Sequence, residues 1–163
     1  MPAKLNHTIV AARDKVKSAL FLSEIMGLEP PLMLGHFALV TVGDELTLDF
    51  VTTDQEITTQ HYAFLVSEDE FDEIFARIKV RGLNYWADPF HKKPGEFNHW
   101  DDVRGVYFDD PDGHSLEILT RPYGSEGTSA KRPHPLVAEV IDKNDDVDAP
   151  SPAGGGSLVC KEN

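Results

Sequence analysis

The apolar positions of this chain fall into two successive series, each opening with a short β-prone run and continuing into a helical period. The run Leu5–Ala11 (LNHTIVA) predicts a strand with one histidine set in it. Asp14 follows as a helix N-cap, Val16, Ala19, Leu20, Ser23 and Ile25/Met26 approximate one helix face, and Gly27 stands where a C-terminal glycine belongs. Pro30-Pro31 blocks continuation of that helix, because proline lacks the N–H and its ring clashes with the preceding turn. Phe37–Val42 and Leu46–Val51 then read as strands around a Gly43-Asp44 turn.

The series restarts after the polar stretch 53–60. Gln60–Val66 (QHYAFLV) predicts a strand with a histidine near its start. Ser67 and Glu70 have capping-box spacing, and Phe71, Ile74, Phe75 and Ile78 follow at i, i+3, i+4 and i+7 up to Gly82. A polar segment, Asp88–Asp102, leads to a strand near Gly105–Phe108, the turn Asp110-Pro111-Asp112-Gly113 and a last strand, Ser115–Leu119. Two copies of strand–helix–strands predict an α+β fold of two modules, residues 4–52 and 60–122, paired about a pseudo-twofold with mixed sheets cupping one site. From residue 124 to 163 Gly, Ser, Pro and acidic residues dominate, which reads as a flexible tail, with Leu136–Ile141 as a segment that docks on the body or on a partner.

Charge narrows the function. The net charge is −13, with four Lys/Arg against seven Asp/Glu in residues 124–163, so −3 lies there and −10 on residues 1–123. An acidic body repels phosphate, which argues against nucleic-acid and anionic-membrane partners. No apolar run approaches 18 residues and no signal-like leader is seen, so the expected compartment is the cytoplasm. A single cysteine, Cys160, excludes an internal disulfide.

The repeat also aligns chemistry. His7 and His61 lie on the first strand of each module, and Asp49 and Glu117 lie between apolar neighbours on a late strand of each. An imidazole or carboxylate on a half-buried strand needs a partner, since burial without one costs roughly 1–3 kcal/mol. Two imidazoles and one or two carboxylates, with no thiolate, suit one divalent ion of Fe, Mn, Ni, Zn or Co and leave positions open for substrate or water.

The stretch Val106–Leu119 (VYFDDPDGHSLEIL), the opening LNHTIVAARD and the helix ending in MGL resemble the vicinal-oxygen-chelate superfamily, which includes glyoxalase I, extradiol dioxygenases, and fosfomycin- and bleomycin-resistance proteins. The resemblance covers roughly residues 4–122. It implies the βαβββ-repeat fold and His7, His61 and Glu117 as metal ligands, with Asp49 at the position of a fourth ligand. Aspartate is a methylene shorter than the family's glutamate there, so Asp49 is expected to bind through water or to act as a base. Tyr107, ten residues before Glu117, matches a substrate-contacting tyrosine of the extradiol enzymes and is a second catalytic candidate. His36, His99 and Arg104 are candidates for the substrate pocket. The implied activity is that of a metal-dependent small-molecule enzyme, a lyase, isomerase or dioxygenase that chelates vicinal oxygens of its substrate, working as a homodimer. A metal-free antibiotic- or ligand-binding protein of bleomycin-resistance type is the alternative. His91, His134 and Cys160 read as surface or tail residues, and His114 as outward-facing.

Overall fold

The computed structural model describes residues 3–124, 131–132 and 134. The expected docking segment 136–141 and Cys160 lie outside the described residues. Two four-stranded mixed sheets carry one helix each. In the first, β1 (His7–Ala12), β4 (Leu46–Thr52), β3 (Phe37–Val42) and β2 (Leu32–Leu34) lie side by side in that order. The second repeats the pattern with β5 (His61–Leu65), β8 (Ser115–Leu119), β7 (Gly105–Asp109) and β6 (Tyr85–Trp86). The outer pair β1–β4, like β5–β8, is parallel and the remaining pairings are antiparallel.

Local chemistry sets the helices. Helix α1 (Lys15–Met26) begins where the Asp14 carboxylate accepts the Val16 and Lys17 N–H groups, and ends at Gly27 in the left-handed region. Its buried face is Ser18, Ala19, Leu22, Ser23 and Ile25, so the helix is rotated from the face expected, and Val16 and Leu20 are exposed. Ser18, absent from the expected face, accounts for the rotation. The Ser18 hydroxyl donates to Asp112 and that of Ser23 to its own helix at the Leu20 carbonyl, so neither is buried unpaired. Helix α2 (Glu68–Val80) has both arms of the capping box, Ser67 N–H to Glu70 at 2.7 Å and Glu70 N–H to Ser67 Oγ at 3.2 Å. Strands β2 and β6 have three and two residues, too short to show a periodic signal.

Side-chain parity along the strands decides what each sheet face carries. Val10, Ala12, Ala38, Val40, Leu48 and Phe50 point to α1, while Phe64, Val106, Phe108, Leu116 and Ile118 point to α2, all within one apolar core that joins the modules. The alternate residues face the other way and are not covered by a helix. Ile9 is 57% exposed and Leu65 63% exposed on these open faces.

The Asp110–Gly113 turn of the second module locks onto the first. Asp112 accepts the Arg13 N–H at 2.9 Å and the Ser18 hydroxyl at 2.5 Å. His114 is 1% exposed, which corrects its outward-facing assignment. Its Nδ1 accepts the Gln60 N–H at 2.9 Å, leaving Nε2 to donate to the Ala11 carbonyl at 2.8 Å. It is in phase with Leu116 and Ile118, which face the core, and the ring fills the seam between modules. At the helix ends Arg77 Nη1 donates to the Ile25 carbonyl at 3.2 Å, a cation at a helix C-terminus, and Arg81 pairs with Glu24.

Candidate metal centre

The open face of the second sheet brings two of the three implied ligands together. His61 opens β5 and Glu117 lies two positions along the neighbouring β8, where register sets Ala63 opposite Glu117 and His61 opposite Ser115. The His61 Nε2 lies 3.1 Å from Glu117 Oε2. Glu117 is 3% exposed, whereas the imidazole is about half open, so a buried carboxylate stands beside a reachable ring nitrogen. Tyr107 on β7 is directly opposite Glu117, and its ring stacks on His61 with centroids 5.8 Å apart.

Sequence patterns gave no sign of Tyr123, which follows the last strand and yet reaches back into this group. Its hydroxyl donates to Glu117 Oε1 at 2.6 Å. Burial first, and then the charge of Glu117, raise the hydroxyl pKa of both Tyr107 and Tyr123 well above the ordinary tyrosine value. Tyr123 thus donates to the Glu117 carboxylate, and Tyr107 stands opposite it in register.

The other candidates are spread over the molecule. His7 starts β1 and Asp49 lies on β4, both on the open face of the first sheet, with Thr47 between them in register. His7 is exposed with Nδ1 2.9 Å from Asn6 Oδ1, and Asp49 accepts the Thr47 hydroxyl at 2.7 Å. His36 is exposed in the turn between β2 and β3, and His99 is exposed beside Phe97 with ring centroids 5.0 Å apart. Arg104 falls on the helix side of its sheet, one residue out of phase with Gly105 and Tyr107. It donates to Glu68 at 2.6 Å and to Asp72 at 2.5 Å, and its guanidinium sits 4.3 Å over Phe71, so it anchors α2. Among the described residues, no three His, Cys, Asp or Glu side chains of one chain are gathered closely enough to hold a metal ion.

His91, read as a surface residue, is exposed and borders this wall. His91, at φ 58°, stacks on Trp86 with centroids 3.7 Å apart and planes within 6°, and its Nε2 is 3.5 Å from Asp109. Trp86 is opposite Tyr107 in register, so the open face continues from Glu117 through Tyr107 to Trp86. A groove of about 500 Å³ between the modules shares His61 with this site and is lined also by Leu5, Thr8, Leu46, Leu48, Ala63 and Leu65. No described helix is long and apolar enough to cross a membrane.

The chain resembles known proteins over this same region. The solved structure of "Oxidase ChaP-H2" is 59% identical, superposes with a TM-score of 0.75, and is matched over its full length by 78% of this chain. "Glutathione transferase FosA" of Serratia marcescens is 32% identical over 124 residues, which are 72% of this chain and 81% of that protein. "Metallothiol transferase FosB" of Lysinibacillus sphaericus (strain C3-41) is 27% identical over 124 residues, 71% of this chain and 81% of that protein. With the paired β-sheets and helices described above and a family match spanning residues 4–118, the chain belongs to the Glyoxalase/Bleomycin resistance protein/Dioxygenase superfamily, that of the vicinal-oxygen-chelate fold.

Proposed function

We propose that this protein is a metal-dependent oxidase that binds one divalent ion, iron in the first instance, and a small-molecule substrate through two neighbouring oxygen atoms. The observation that carries the reading is the convergence of His61 Nε2 and the buried Glu117 carboxylate on an open sheet face. An imidazole and a carboxylate in that relation suit a borderline divalent ion, and a second imidazole makes the two-His, one-carboxylate set that leaves sites open for oxygen ligands. The oxidase class rests on the similarity to ChaP-H2, at 59% identity against 32% for FosA. An ion held there would act as a Lewis acid and, as iron, would react with O₂.

The second imidazole is His7 of another copy. Within one chain His7 lies on the first module's open face, in the place that His61 holds on the second. Both faces carry exposed apolar residues, Ile9 and Leu65, and edge strand β2 presents Leu32, Met33 and Leu34 at 50–65% exposure. A twofold homodimer that faces one chain's first sheet against the other's second covers these residues and completes two sites. Around each site Tyr107 donates a hydrogen bond on the substrate side, and Asp49, which travels with His7, takes up a proton from substrate. His36 and His99 line the outer pocket, and Arg104 holds α2 behind the sheet.

Metal content of tag-free protein, measured by plasma mass spectrometry, tests the site. About one equivalent per chain is expected in the wild type, with loss in His7→Ala, His61→Ala and Glu117→Ala. Co-expressed His7→Ala and Glu117→Ala chains regain one intact site per mixed dimer if the ligands come from two copies, and regain none if they come from one. Oxygen uptake by the Fe²⁺ form with catechol-like substrates tests the reaction class. Wild-type protein that neither carries nor takes up Fe²⁺, Mn²⁺, Ni²⁺ or Zn²⁺ sinks the metalloenzyme reading in favour of a metal-free binding protein.

A further inference from the structure

Glu117 is held by a device that lies outside the repeated fold. Tyr123 comes four residues after β8 ends, and the chain must turn back for its hydroxyl to meet Glu117 Oε1 at 2.6 Å. The turn is fastened to residues 98–102. The Asp101 carboxylate, 1% exposed, accepts the Gly124 N–H at 2.6 Å and the His134 N–H at 2.9 Å, while its own N–H donates to the Arg132 carbonyl at 2.6 Å. Asp102 accepts the Lys131 N–H at 2.8 Å. The His134 ring packs on both Trp100 and Tyr123, with centroids 4.8 and 4.6 Å away. Asp101 and Asp102 adopt φ values of 53° and 57°, a conformation that costs a non-glycine residue about 1 kcal/mol or more and persists only where the surroundings require it.

The other side of the hydroxyl is equally constrained. A Cβ on Gly105 would stand 2.8 Å from the Tyr123 oxygen and 2.9 Å from Asn98 Oδ1. Ordinary Cβ atoms do not approach so closely, so glycine at 105 is what admits the hydroxyl beside Glu117. One carboxylate oxygen is thus taken up by Tyr123, and the other is turned towards His61.

We propose that Tyr123 is a positioning residue for the metal ligand Glu117, and that Lys131, Arg132 and His134 act as a strap that clamps Tyr123 in place. This rests on the metal reading given above. With Oε1 engaged, Glu117 offers the metal a single oxygen of fixed direction, and the ordering of that carboxylate is complete before the ion arrives. Hydrogen-bond partners behind a metal ligand commonly contribute ten- to a hundredfold in affinity.

Co²⁺ binding tests the strap without recourse to turnover, by isothermal titration calorimetry and by the ligand-field spectrum of the bound ion. Tyr123→Phe is expected to weaken Co²⁺ binding about tenfold and to shift the spectrum, while its circular dichroism stays that of the wild type. Gly105→Ala keeps the hydroxyl but displaces it, and is expected to reproduce the effect. Asp101→Ala loosens the strap, and combined with Tyr123→Phe it should weaken binding no further than Tyr123→Phe alone. Should Asp101→Ala fail to fold, His134→Ala takes its place in the same comparison. Affinity and spectrum unchanged in Tyr123→Phe overturn the positioning role, and fully additive losses in the double variant overturn the strap. A wild type that binds no Co²⁺ overturns the metal reading itself, and this inference with it.

Discussion

Replacing His114 with alanine tests how the two modules are joined. The imidazole is 1% exposed and links Gln60 of the second module to Ala11 of the first, at 2.9 and 2.8 Å. Each hydrogen bond contributes about 1 kcal/mol net. The edge contact with Tyr62, at 5.9 Å between centroids, adds about 0.5–1.5 kcal/mol. Removing the ring also leaves a cavity that the strands on either side cannot close, since both belong to hydrogen-bonded sheets. His114→Ala is therefore expected to lower stability by about 3–4 kcal/mol, and Tm by about 10 °C for a chain of this size. His114→Asn presents an oxygen near the position of Nδ1 and should recover about 1 kcal/mol by again accepting the Gln60 N–H. Urea unfolding monitored by circular dichroism measures both variants. A loss below about 1 kcal/mol for His114→Ala would refute the argument and move the seam's stability to the Asp112 contacts with Arg13 and Ser18.

Further perturbations separate structural from functional roles. Arg104→Met keeps the stem but removes two solvent-facing ion pairs and the contact over Phe71, so a stability loss of about 1 kcal/mol with unchanged metal affinity is expected, read by thermal melting and calorimetry. Gly27→Ala places a side chain at φ 72° and a Cβ 2.9 Å from the Arg77 guanidinium, which should cost about 1–2 kcal/mol in urea titrations. Asp88 is buried, which alone would raise its carboxyl pKa, but hydrogen bonds from the Lys92, Phe90 and Lys93 N–H groups outweigh burial and hold it below the usual value. Its contribution is therefore full above the unfolded pKa of about 4 and is lost as pH falls through the lower folded value. Stability of Asp88→Asn measured between pH 2 and 5 should fall less steeply with acid than that of the wild type.

The sequence pattern discloses the parts of the fold that have a period. A strand with alternating burial and a helix with a capping box each leave several residues in phase, so β1, β5, α2 and β8 are readable from the chain. Edge strands β2 and β6 are not, because three and two residues hold no alternation and the residues of β2 are exposed. The face of α1 was displaced because Ser18 counts as polar until its hydrogen bond to Asp112 is known. Among candidate site residues, His61 and Glu117 stand out because repeat and strand parity act on them together. Tyr123 and His91 lie outside any period and reach the same wall through a backward turn and through a left-handed residue stacked on Trp86. Arg104 could have been set aside from parity alone, since it is out of phase with Tyr107, which faces Glu117.

The unequal burial of the three proposed ligands bears on how metal and assembly are linked. Glu117 is fixed before any ion binds, His61 is half open, and His7 is exposed on the other sheet. If His7 comes from a second copy, as proposed, the ion bridges two chains and binds the dimer far better than either monomer. Linkage then requires that metal strengthen association, by about 2.7 kcal/mol for each site at a free concentration one hundred times its dissociation constant. Two sites per dimer double that term. Dimer dissociation followed by analytical ultracentrifugation should shift to markedly lower protein concentration with Co²⁺ and return with chelator. The shift should vanish in His7→Ala while its metal-free dimer, held by the apolar residues around Ile9 and Leu65, persists. A dimer whose dissociation constant ignores metal, in a wild type shown to bind it, would place all three ligands within one chain and refute the exchanged arrangement.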